Sequence, residues 1–237
     1  MTSACARPPD DAELRAAATA DGTRQIRESK ERGVRELLAR LAEVEGLRPG
    51  YTVFQDVCAG APDGNLLEPA TGPLMTCSMS LTAVFGVEGD VTEVLRRIDA
   101  ARVVRWQPNV NGPGSASGGT LQNALEYHRQ RGVFPDGRLM PAPHLESEDG
   151  TVTITWDHPT LPGHPPASSR VGSHGRAGGG RRTAPTCPPE SPVYSRCRID
   201  PERPQSVPAI RARYGTVLEV EIDPDGQLGY FEVPRPR

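Results

Sequence analysis

Residues 74–101, LMTCSMSLTAVFGVEGDVTEVLRRIDAA, change their hydrophobic period part-way along, and no other stretch restricts the fold as strongly. Met75, Cys77, Met79, Leu81, Ala83, Phe85 and Val87 alternate with Thr76, Ser78, Ser80 and Thr82, as a strand with one buried and one wetter face requires. Past Gly89, the residues Val91, Val94, Leu95 and Ile98 recur at helical spacing, so the strand feeds directly into a helix. A doubly wound parallel sheet calls for continuously apolar strands, and this chain has none. The expectation is therefore an α+β fold, with an antiparallel sheet covered on one face by helices.

The flanking sequence supplies the other elements. From Arg24 to Glu45, Ile26, Val34, Leu37, Leu38, Leu41 and Val44 mark an amphipathic helix that stops at Gly46 ahead of Pro49. Tyr51 to Cys58 reads as a strand, and a short strand is expected near Trp106. TLQNALEYHRQRG reads as a helix with Leu121, Ala124, Leu125 and His128 on one side. TVTITWD, residues 151–157, is a strand with Val152, Ile154 and Trp156 facing one way. TVLEVEIDPDGQLGYFEV reads as a C-terminal hairpin about an Asp-Pro-Asp-Gly turn.

Between these patterned regions the composition changes. Residues 158–192 hold eight prolines and six glycines with no aromatic side chain, too little apolar surface to offset the entropy of ordering. The expected organisation is a flexible segment 1–23, an α+β domain 24–157, a long disordered Pro/Gly/Arg-rich insertion 158–206, and the hairpin 207–237 completing the domain. The same composition is also what a locally shifted reading frame in a GC-rich gene would produce.

Charge excludes little but is uneven. The net charge is −3, which argues against a general nucleic-acid binder, yet residues 158–213 carry nine arginines against Glu190, Asp200 and Glu202. The basic run RVGSHGRAGGGRR could meet RNA, anionic lipid or the acidic remainder of the chain, but lacks the aromatic side chains that stack on bases. No run of about eighteen apolar residues is present to span a bilayer.

Five cysteines divide suggestively. Cys58 ends one expected strand and Cys77 begins the next, the geometry of neighbouring strands joined by a turn-rich loop. Cys187 and Cys197 bracket PPESPVYSR and form a second candidate disulfide pair. In a reducing compartment the same residues would be small buried apolar side chains, and that alternative stays open here. Cys5, in MTSAC, resembles the cysteine of a bacterial lipoprotein cleavage site and is a candidate for lipidation, although no charged region or apolar run precedes it.

Over roughly residues 25–105, the amphipathic helix, the strand ending in Cys58, the loop, and the Cys77 strand running into GVEGDVTEVLRRIDAA resemble uncharacterised actinobacterial secreted or membrane-anchored proteins. The resemblance implies an extracytoplasmic domain tethered by a lipid or a single N-terminal helix. It brings no activity and no catalytic residues.

Several chemical readings compete with plain structural ones. GPGSASGGT before the helix at 121 makes Gly118, Gly119 and Thr120 candidates for anion binding at a helix N-terminus, while Thr120 alone would serve as an N-cap. The loop has no Gly-Lys-Ser/Thr ending. Ser115 and Ser117 do not form a nucleophile elbow, and His128 or His144 would have to act as base. His158, His164 and His174 follow no zinc spacing, so no metal or other cofactor is called for. Glu221, Asp223, Asp225, Gly226, Leu228 and Glu232 overlay an EF-hand loop, but the alternating residues before them and Pro234 after them fit a turn between strands.

The leading expectation is a non-enzymatic, extracytoplasmic domain stapled by Cys58 and Cys77, with no identified partner beyond membrane association through Cys5 or an upstream signal. The alternatives are a cytosolic small-molecule-binding protein or hydrolase using loop 112–120, and an intracellular interaction protein whose basic insertion contacts a partner.

Overall fold

The computed structural model describes residues 9–60, 72–108, 120–158, 184–191, 193–225 and 229–235. Its order is α1 (Asp11–Thr19), α2 (Asp21–Ala42), β1 (Leu47–Gly60), β2 (Met75–Val87), α3 (Val91–Ala101), α4 (Leu121–Arg129), β3 (Leu145–Glu146), β4 (Val152–Trp156), β5 (Tyr194–Asp200), α5 (Val207–Tyr214), β6 (Thr216–Ile222) and β7 (Phe231–Val233). The seven strands form one antiparallel sheet in the order β3-β4-β6-β2-β1-β5, with β7 beside β2. The α+β class expected from the period change at residue 89 is the one observed.

The alternation of β2 places its odd-numbered apolar residues from Met79 onward on the main core. Met79, Leu81, Ala83, Phe85 and Val87 pack with Leu218, Val220 and Ile222 of β6 and Ile154 and Trp156 of β4. Val34 and Leu41 of α2, Leu95 and Ile98 of α3 and Ala124 of α4 close over them. Burial of each valine, leucine, isoleucine, phenylalanine or methionine among them contributes about 1.5–3 kcal/mol before entropy is counted. Gly46 lets α2 turn sharply into β1: its φ is +93°, and a Cβ there would lie 2.6 Å from Val94 Cγ2.

Five expectations are corrected. Residues 1–23 were expected to be flexible, yet within them Asp10 and Glu13 form a capping box that starts α1, which buries Leu14 and Ala18. The insertion 158–206 is not structureless throughout. Residues 159–183 lie outside the described residues, but β5 falls inside the expected insertion and pairs with β1 from Cys58–Tyr194 to Thr52–Asp200.

Helices do not cover one face alone. Ile210 of α5 packs on Val84 and Val217, which point away from the main core, and Tyr214 lies where a Cβ on Gly86 would be, 2.1 Å from its Cδ2. The C-terminal hairpin is absent, because β2 is long enough to pair with both strands. β6 takes Leu81–Val87 and β7 takes Met75–Cys77, so the two run in line instead of against each other. Among the described residues near Trp106 there is no strand, only an isolated bridge to Ser147.

Candidate functional site

The end of the sheet where β1 meets β5 is built around buried charge. Asp56 of β1 is fully buried, and Arg27 of α2 is 5% exposed. A carboxylate in that position requires a partner, since an unpaired buried charge is costly. Arg27 Nε lies 2.9 Å from Asp56 Oδ2, and Arg27 Nη2 donates to the Ala18 carbonyl at 2.9 Å. The Tyr230 hydroxyl donates to Asp56 Oδ1 at 2.7 Å, and the Arg27 guanidinium stacks 4.0 Å from the Tyr194 ring centroid. Arg196 of β5 adds a further cation 3.4 Å from Asp56 Oδ2 and also pairs with Glu31. Burial, followed by the bond to Asp56, pushes the Tyr230 phenol far above its usual range.

Directly beside this network lies the disulfide Cys58–Cys77. The two residues face each other across β1 and β2 with Cα atoms 3.9 Å apart, and both are fully buried. Arg27 Nη2 reaches to 3.8 Å from Cys58 Sγ. The second disulfide, Cys187–Cys197, ties residues 184–191 to β5 with Cα atoms 5.8 Å apart. Both expected pairs are thus formed.

The opposite end holds a cleft of about 810 Å³ between α3 and α4. Val91, Leu121 and Leu125 line it together with His128, and Asp90, Arg96, Glu126 and Arg129 stand at its rim. Those charges are largely satisfied within their own helices. Arg96 pairs with Glu93, Arg129 with Glu126, and the Asp90 carboxylate caps α3 by accepting from Thr92 Oγ1 at 2.6 Å and Thr92 N at 2.7 Å. Those hydrogen bonds hold Asp90 below the usual carboxylate range. Behind the cleft, Tyr127, His128, Trp156 and His158 form an aromatic cluster.

The remaining sequence candidates are distributed as follows. Thr120 caps α4 by accepting from Asn123 N at 3.2 Å, the plain structural role, while Gly118, Gly119, Ser115 and Ser117 lie outside the described residues. Cys5, His164 and His174 also lie outside them. His144 sits 3.6 Å from Glu146 at the sheet edge. Of the EF-hand-like residues, Asp225 is neutralised by Lys30 Nζ at 2.6 Å and Glu221 lies on an extended strand. Among the described residues no group of three or more His, Cys, Asp and Glu is placed to hold a metal ion. No helix among them is long and apolar enough to cross a membrane.

Arg27, Asp56, Tyr194 and Tyr230 were not singled out by the sequence. A signal existed in the spacing: Arg27, Val34 and Leu41 are seven residues apart on one stripe of α2, and it is Arg27 that is buried while Ile26 is 40% exposed.

Compared with known proteins, the chain matches no family model, no curated protein and no solved structure. The class that its own geometry defines is an α+β domain with one disulfide across its antiparallel sheet and a second tying residues 184–191 to the edge strand.

Proposed function

We propose that this chain is a non-enzymatic, extracytoplasmic domain of the kind suggested by its resemblance to actinobacterial secreted or membrane-anchored proteins, with the α3/α4 cleft as its binding surface. The observation that carries this reading is the pair of disulfides, one of them fully buried between the central strands. Disulfides persist in oxidising compartments and are kept reduced in the cytosol. A membrane tether through Cys5 or a preceding segment belongs to the same reading.

The state of the titratable groups supports a binding role over catalysis. Asp56 is consumed by Arg27, Tyr230, Tyr194 and Arg196, so it has no free oxygen facing a substrate. His128 Nε2 is occupied by the Trp156 indole, and His158 is buried. A general base needs a free nitrogen or oxygen within reach of the proton it removes, and the Asp56 oxygens and His128 Nε2 are already engaged within the protein.

Producing the full chain in parallel in a reducing cytosol and in an oxidising periplasm tests the compartment. Protease-resistant protein is expected only from the oxidising route. Equal resistance from fully reduced, cytosolic protein would contradict the proposal and favour the cytosolic reading.

A further inference from the structure

An indole N–H can donate a hydrogen bond but cannot accept one. Trp156 Nε1 lies 3.0 Å from His128 Nε2, so that nitrogen must be the acceptor and the His128 ring must be neutral. The two rings are stacked with centroids 6.3 Å apart. His158 meets the same indole edge-on at 5.2 Å and Tyr127 at 5.1 Å. It is 7% exposed, its ring donates a hydrogen bond to the Pro143 carbonyl, and its buried Nδ1 has no partner. The His128 and His158 centroids are 6.3 Å apart.

The hydrogen bond joins α4 to the end of β4, and His128 also lines the cleft. We propose that His128, Trp156 and His158 form an acid-released latch: neutral rings fasten α4 to β4, and protonation frees α4 and changes the cleft. Protonating His128 sets one N–H against another in place of donor against acceptor. Protonating His158 puts a charge at a buried nitrogen with nothing to accept from it, and a second imidazole beside it.

The surrounding charges offer little compensation. From α3, Asp90 attracts a proton to His128, but its carboxylate is already engaged by Thr92. From β4, Asp157 acts on His158, but Arg211 of α5 holds it at 2.7 Å through both oxygens and Val217 N donates to it at 3.1 Å. On α4 itself, Glu126 is paired with Arg129, and Tyr127 presents a neutral phenol whose ionisation is pushed up by burial. Burial, then the neighbouring His128, lowers His158 to about 4, and burial lowers His128 against the pull of Asp90.

The latch does not depend on the compartment proposed above, and its test is independent. Hydrogen exchange of the full chain, corrected for intrinsic rates, is expected to show α4 amides losing at least tenfold in protection between pH 7 and pH 4.5, with β1 and β2 unchanged. His128→Gln keeps an acceptor for the indole but cannot take up a proton, so α4 is expected to keep its protection in that variant. The Trp156 indole N–H resonance of the unmodified protein gives a second readout and should move with the same midpoint as His128. Unchanged α4 exchange at pH 4.5, an indole signal indifferent to His128 titration, or equal acid sensitivity in His128→Gln would each overturn the latch.

Discussion

Where β1 meets β5, the chain buries a full ion pair, Arg27 with Asp56, and surrounds it with two phenols, a second arginine and a disulfide. Where β4 meets α4, it packs a buried imidazole, His158, and a half-buried one, His128, against an indole, and the neutral His128 ring accepts that indole's hydrogen bond. Both ends place polar nitrogen and oxygen in the interior, but the first satisfies charge with opposite charge and the second satisfies polarity only while charge is absent. The difference teaches that two parts of one core can respond oppositely to the same proton. An ion pair of this kind adds little net stability over an apolar pair of the same volume. Its removal from one side is nevertheless severe, because the surviving partner is left charged and dry.

The largest effect should therefore come from breaking the charged end on one side. Asp56→Asn is expected to destabilise the fold by about 3–5 kcal/mol, read from the urea midpoint, because Arg27 would stay buried without its counter-charge. A loss below about 1 kcal/mol would mean that Arg27 escapes to solvent and the network is not a fixed part of the core.

Removing the covalent support at the same end comes next. The Cys58–Cys77 bridge spans a sequence separation of 19, for which chain entropy gives about 3 kcal/mol. The Cys58→Ala/Cys77→Ala double variant should lose roughly that amount by thermal unfolding and expose Arg27 and Asp56 to faster exchange nearby.

At the aromatic end, acidity replaces mutation as the probe. An unfolded histidine takes up its proton near 6.5, whereas folded His158 does so only at about 4. The unfolded chain therefore binds more protons between those values. The His158 contribution imposes no penalty above pH 6.5, and a penalty that grows as pH falls and reaches about 3 kcal/mol below pH 4. Denaturation curves across this range should show that loss, and His158→Gln should flatten it.

The smallest change tests whether α4 is held by its cap or by the latch. Thr120→Ala removes the acceptor for Asn123 N and should cost about 1 kcal/mol without altering the acid response of the cluster. A shifted acid response would join cap and latch into one unit.

How much of this was legible depended on whether burial followed polarity. β2 and α3 could be read because their buried residues are apolar and the period changes at a glycine. β5 could not, since YSRCRID turns Arg196 toward Glu31 and Asp56, giving a strand that looks solvated in sequence. α5 hides its role because VPAIRARY buries Ile210 alone, and α1 because its buried stripe is only Leu14 and Ala18.

The expected hairpin went wrong for a different reason. Asp-Pro-Asp-Gly is sound turn chemistry, but local sequence does not reveal that β2 can pair with both β6 and β7 or that Lys30 captures Asp225. The cysteine pairs were legible because strand order placed Cys58 opposite Cys77, whereas the His128–Trp156 contact joins residues 28 apart and has no local signature.

Thiol mapping tests the covalent staple of the sheet, and the oxidising compartment proposed from it, most directly. Protein recovered from its native host would be alkylated without reduction, digested and analysed by mass spectrometry. The account predicts cross-linked peptides joining Cys58 to Cys77 and Cys187 to Cys197, with none of the four alkylated. Alkylation of all four would contradict it, removing the staple and returning the chain to a reducing compartment.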